Sequence, residues 1–208
     1  MDLADASRHW TTVVEQCDHL VAVHRHRGGP GRRYEEMAIN RAIVVLAVAA
    51  WQAAVEDMVT AALDAGTPAA GSPLTKGSYD LLAGSAKSAV ARFSTPNAEK
   101  SRELFLLVGY DPRPTWVWAT GRFGRENHTP ADVANRLNQW LKLRHAIAHG
   151  ASELPALAVL DAIRTGRKKA NPPLVLRDAE NCLGFVRRLT KATGAGMAHH
   201  LAVTDPGW

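Results

Sequence analysis

Ala42-Ile43-Val44-Val45-Leu46-Ala47-Val48-Ala49-Ala50-Trp51 is a run of ten apolar residues inside a segment, Arg33 to Ala65, that contains neither proline nor glycine. Strong helix formers rich in alanine fill that segment, which predicts a single helix of about eight or nine turns. Its middle is apolar all round, so it must be covered on every side, by other helices or by a second subunit. Ala42, Ala47, Ala49 and Ala50 are small enough to let neighbouring backbones approach closely. Spanning a bilayer takes roughly twenty apolar residues. Here Gln52, Glu56 and Asp57 follow the run, so it reads as the core helix of a soluble protein with no membrane partner.

Working outward, Trp10, Val13, Val14, Cys17, Leu20, Val21 and His24 recur at helical spacing and predict a first amphipathic helix from Leu3 to about Arg27. The basic run His24-Arg25-His26-Arg27 either complements the dipole of its own helix end or belongs to an RNA-facing patch. Gly28 to Gly31 is a turn, and Gly66 to Gly77, with its two prolines, is a loop. A shorter helix is expected over Ser78 to Phe93, and Thr95-Pro96 signals the start of another, running through Leu104 and Leu107. Thr115 to His128 mixes Trp116, Trp118 and Phe123 with Arg122 and Arg125 and reads as an exposed loop. Such interleaving suits base stacking and phosphate pairing, and equally suits tryptophans that anchor a long loop to the core. Pro155 to Thr165 predicts a short helix, and Gly166 to Lys169 a basic turn. Asp178 is the expected cap of a last helix with Cys182, Phe185, Val186 and Leu189 on its apolar face, and residues 194–208 are expected to fray. The whole is an all-α fold in one domain, residues 1–208.

One helix carries the chemistry. Thr129-Pro130 starts it, Gly150 can stop it in the left-handed conformation, and Val133, Leu137, Trp140, Leu141, Ile147 and Ala148 make an apolar stripe between about 130 and 149. Arg144 falls on that stripe. A guanidinium cannot shed its proton to escape burial, so it needs a carboxylate, a phosphate or a route to water. His149, in the last turn, faces unpaired carbonyls, and a histidine near neutral pH can both take and give a proton. On a straight helix the two side chains are about 140° apart. The arginine's reach, a fraying helix end or a second copy of the site would have to bring them together.

Composition is ordinary for a soluble globular protein, with 46% hydrophobic and 22% charged residues in 208. The net charge of +5 favours polyanions, nucleic acid first among them. Cys17 and Cys182 lack metal-ligand spacing and read as buried thiols in a reducing cytosol. Met1-Asp2-Leu3-Ala4-Asp5 is acidic where a secretory signal is basic, which also points to the cytoplasm.

Leu143-Arg144-His145-Ala146-Ile147-Ala148-His149-Gly150 at a helix end resembles the signature of HEPN domains, an arginine and a histidine separated by four to six residues. The RiboL-PSP-type branch, with its Arg-His-x-Ile-Ala-His-Gly string, is the most similar. Trp51-Gln52-Ala53-Ala54-Val55-Glu56-Asp57-Met58 is also similar to a helix of that branch. The resemblance implies a HEPN-like helical bundle that dimerises so that two motifs share one cleft. Many such proteins are metal-independent endoribonucleases of toxin or defence systems, with RNA as substrate and in some cases an antitoxin partner. It makes Arg144 and His149 the catalytic pair, with His145 and Glu56 in support. Arg122, Arg125 and Lys142 are candidate RNA contacts, and no cofactor or metal is expected. Ala151 stands where some relatives carry a tyrosine modified by AMP transfer, so silencing by that route is not expected.

Bland alternatives stand beside each of these. Arg144 alone would pair with Glu56 or Asp57, and His149 alone would cap its helix. His145 and His149 have a spacing that can bind a metal, but no third ligand accompanies them. Two functions from different classes remain: a dimeric ribonuclease, and a catalytically silent helical module that binds RNA, a nucleotide or a protein.

Overall fold

A computed structural model describes residues 1–26, 33–69, 71–73, 75–120, 126–167 and 170–208. Seven α-helices are found among them: α1 (Leu3–His26), α2 (Arg33–Ala65), α3 (Lys76–Ala91), α4 (Ala98–Leu106), α5 (Pro130–Ala148), α6 (Asp161–Arg164) and α7 (Leu176–His200). The fold is an all-α bundle. The turn expected at 28–31 and Lys168 and Lys169 of the basic turn lie outside the described residues.

α2 forms the axis, as its composition requires. Ile43, Val44, Ala47, Val48, Trp51, Val55, Met58 and Val59 are fully buried, and α1, α7 and α5 pack around them. Cover is not complete on every side. Exposed Tyr34 and Ala38 are followed along the same side of the helix by Ala42, Val45 and Ala49, which are only half-buried. α2 is long and apolar enough to cross a membrane by length and composition, and more than half of its most apolar window is buried inside the bundle.

Polar pairs between side chains mark the helix directions. Met1 N to Asp64 Oδ2 (2.7 Å) and His9 Nδ1 to Asp57 Oδ2 (2.6 Å) make α1 antiparallel to α2. Arg25 to Glu180 (2.6 Å) and Arg187 to Asp18 make α7 antiparallel to α1. Cys17 and Cys182 are free and buried on these helices. Burial pushes the Cys17 thiol up to about 11 and the Cys182 thiol up as well.

Several local expectations are corrected. α4 is capped by Asn97, whose Oδ1 accepts from Lys100 N at 2.7 Å, so the start signal lies two residues beyond Thr95. Asp178 caps α7 from the third helical position rather than as the N-cap residue, which is Val175. It sits inside the first turn, where Oδ2 accepts from Val175 N (3.2 Å) and Oδ1 from Asp161 N (2.8 Å), tying α7 to α6. Thr115 to His128 is not a plain loop. After a 3-10 turn at Arg113–Thr115, strands β1 (Trp118–Thr120) and β2 (Glu126–His128) pair antiparallel, with Trp118 opposite His128. Trp116 is buried and donates Nε1–H to Thr193 Oγ1 at 2.9 Å, so this tryptophan anchors the segment to α7.

Nor does the chain fray from residue 194. α7 continues to His200, and Gly194, Met197 and Ala198 are buried. The glycines that break the apolar pattern are places of close packing. A Cβ on Gly194 would overlap the Trp208 ring, and one on Gly196 would overlap the Tyr110 hydroxyl. Ser7 Oγ donates to Gly207 O at 3.1 Å and ties the last residues to α1.

Candidate functional site

α5 is built as its sequence directs. The Thr129 hydroxyl accepts from Asp132 N (3.3 Å) and the Asp132 carboxylate accepts from Thr129 N (2.9 Å), a reciprocal cap that holds Asp132 well ionised. Asn138 Oδ1 accepts from Ala98 N (3.0 Å) and Gln139 Oε1 from Val159 N (3.2 Å), fixing the helix to α4 and to the segment before α6. At the other end Gly150 takes φ +67°, and Gly150 N and Ala151 N donate to Ile147 O (3.1 Å) and Ala146 O (3.0 Å). That left-handed closure is the stop Gly150 was expected to provide.

The apolar stripe does not run to the end. Val133, Leu137, Trp140, Leu141 and Leu143 are buried, Ile147 is half-buried, and Ala148 and His149 are exposed. Arg144 therefore marks the point where α5 leaves the core. It is half-buried, and its Nε is buried without a hydrogen-bond partner. Among the described residues no carboxylate pairs with it. The two acids that would have explained it structurally are engaged elsewhere: Glu56 Oε1 accepts from Gln52 Nε2 (3.0 Å), and Asp57 pairs with His9. Gln52 also donates to Phe93 O at 2.9 Å, so Glu56 belongs to the α2–α3 contact. Burial pushes the Glu56 carboxyl up, the Gln52 amide partly offsets this, and Asp57 adds to it.

The two motif histidines approach each other, with ring centroids 6.4 Å apart and planes at 65°. Burial first, then the Arg144 charge, then His149, hold the His145 imidazole below its ordinary value. His145 is thus a neutral imidazole near pH 7. It lies in the electrostatic field of both other motif residues, whereas no hydrogen bond joins Arg144 to His149 within the chain among the described residues. Lys142 is exposed one turn before Ala146 and carries no ion pair among the described residues. Arg122 and Arg125 lie outside the described residues, as does any contact they make. Among the described residues no three histidine, cysteine or acidic side chains gather as metal ligands.

What sequence reading missed is a second basic locus on the same helix. Arg136 and Trp140, two turns and one turn before Arg144, face a cleft shared with α6, α7 and the hairpin. The signal existed in the four-residue spacing Arg136, Trp140, Arg144, but the other members come from segments distant in sequence. Family models, curated proteins and solved structures offer no match to this chain.

Proposed function

We propose that this protein is a HEPN-like endoribonuclease of a toxin or defence type, working without a metal and as a homodimer through Arg144 and His149. The observation that carries the reading is Arg144 itself. A half-buried guanidinium with an unpartnered Nε, near the end of α5 and five residues before an exposed histidine, is costly to keep unless an anion completes it. An RNA phosphate supplies that anion. The ribose 2′-hydroxyl attacks the adjacent phosphorus while an imidazole removes its proton. Arg144 stabilises the charge growing on the non-bridging oxygens, and the P–O5′ bond breaks as the 5′-oxygen takes up the proton that the imidazole removed from the 2′-hydroxyl. The products are a 2′,3′-cyclic phosphate and a 5′-hydroxyl. His149 is the exchanging group, and His145, neutral and adjacent, orients the phosphate or its neighbour.

The missing Arg144–His149 contact within one chain is what a partner's motif helix would restore. The half-covered side of α2, through Ala42, Val45 and Ala49, gives a second copy apolar surface to bury. Glu56 is left out of the catalytic group because Gln52 holds it. RNA as substrate, an antitoxin as regulator and a cytoplasmic setting go with the same reading.

The unjoined Arg144 and His149 also favour a second reading, a silent module that binds RNA, a nucleotide or a protein with the same surface. Incubation of single-stranded RNA with the protein in chelator, with Arg144→Ala and His149→Ala beside the parent, separates them. The expected result is cleavage to cyclic-phosphate ends by the parent and a loss of roughly 10²–10⁴-fold in each variant. A parent that cuts nothing, or variants that cut as well as it does, removes the nuclease assignment.

A further inference from the structure

We propose that the cleft between α5, α6, α7 and the β1–β2 hairpin binds a nucleotide, free or as one residue of a single strand, with its phosphate on the arginines and its base against Trp118. The cleft has a volume of about 340 Å³, within the range of small-molecule sites, and its walls include Arg136, Arg164, Arg177, Arg188, Trp118 and Phe185. Four guanidinium-bearing side chains thus converge from three helices, and none of the residues lining the cleft is acidic. Only Arg164 is neutralised, by Asp161 Oδ1 at 2.8 Å. Arg136, Arg177 and Arg188 make no ion pair or hydrogen bond among the described residues. Asp132 lies close enough to Arg136 to feel its charge, though no ion pair joins them among the described residues, and the like charges around the cleft repel one another; a phosphate relieves that repulsion while accepting several N–H donors at once.

The aromatic half of the cleft selects what the phosphate is attached to. Trp118 is half-buried and held from behind by Phe185 (centroids 6.0 Å, planes at 57°) and from its own hairpin by His128 (6.2 Å, 59°). A ring braced in this way, with part of its surface left to the cleft, is a platform for a base. Inorganic phosphate would use the arginines alone, and a nucleoside the ring alone. A nucleotide uses both.

Neither Arg144 nor His149 lines this cleft, so the inference does not rest on the nuclease reading. The test is isothermal titration of the full chain with 5′-AMP, adenosine, inorganic phosphate and a hexa-adenylate strand. AMP or the strand is expected to bind at least about tenfold more tightly than adenosine or phosphate. Binding of the strand without AMP assigns the ligand to a polynucleotide residue, and binding of AMP itself to a free nucleotide. In the double variant Arg177→Gln/Arg188→Gln the affinity should fall by about tenfold or more with the thermal midpoint unchanged, since both side chains are exposed. Trp118→Leu should weaken AMP or strand binding and spare phosphate; if this variant fails to fold, the arginine pair carries the test. His149→Ala is expected to bind like the parent even where it no longer cuts RNA, which keeps the two proposals distinguishable. The inference is overturned if neither AMP nor the strand binds at millimolar concentration, if adenosine binds as well as AMP, or if the double arginine variant binds like the parent.

Discussion

The end of α7 and the end of α5 are held by opposite means. At α7 the polar groups of Thr193 are buried and satisfied, its hydroxyl taking the Trp116 indole N–H and its carbonyl the Tyr110 hydroxyl (3.1 Å); the Tyr110 ring closes over Gly196 and the Trp208 ring over Gly194, although Trp208 Nε1 and, one turn earlier, Thr190 Oγ1 are buried without a partner. At α5 the polar groups are half-buried or exposed, and the Arg144 Nε is buried without a partner. A satisfied network stabilises a fold. An unsatisfied cation beside solvent stabilises little, and is available to a ligand.

If that contrast is right, substitution at α7 must unfold what substitution at α5 leaves intact. The largest effect is expected from Gly196→Ala. Helix propensity alone predicts a gain of about 1 kcal/mol. Overlap with the buried Tyr110 hydroxyl reverses the sign, for a net loss on the order of 1–3 kcal/mol in denaturant titration. The same change at Gly194 should also destabilise, because a Cβ there would overlap the Trp208 ring. A stabilised Gly196→Ala protein would mean that the α7 end is not tightly closed. Next comes Thr193→Val, which keeps the shape and removes the acceptor of the Trp116 N–H; a loss of about 1–3 kcal/mol is expected from the stranded donor.

Arg144→Met sharpens the comparison from the other side. Removing one partner of a buried ion pair costs several kcal/mol, but among the described residues there is no paired acid to strand. The thermal midpoint is therefore expected to hold or rise. A fall comparable to that of Thr193→Val would show that Arg144 is structural after all.

The same contrast explains what the sequence disclosed. α2 was legible to the residue because nothing in Arg33–Ala65 competes with helix, and α5 because Thr129, Pro130 and Gly150 each act through their own backbone. The motif pair was legible because its members share one helix. What stayed hidden depends on encounters between distant segments: Trp116 with Thr193, Gly196 with Tyr110, Gln52 with Glu56, and the arginines of the cleft. A glycine reads as a break in a pattern until the ring that occupies its missing side chain is known. Glu56 looked like a partner for Arg144 because both are charged and both helices are central, yet its nearest donor was one turn away on α2 itself.

The smallest effect lies in the titration of His145, and it tests whether the motif end is electrostatically coupled at all. Burial is the largest cause of its lowered value, the Arg144 charge the next, and His149 the last. In the folded chain the imidazole consequently binds fewer protons than in the unfolded chain just below the ordinary value of 6.5. Its contribution to stability is complete above that value and is lost as the pH falls from there to the depressed folded value, below which the loss levels off. A ring-proton titration by NMR should place the midpoint under 6.5 in the parent. Arg144→Met should raise it without restoring it, because burial persists when the neighbouring charge is removed. A midpoint insensitive to Arg144→Met would mean that the guanidinium points away from the histidines, and the case for one shared phosphate between them would fail with it.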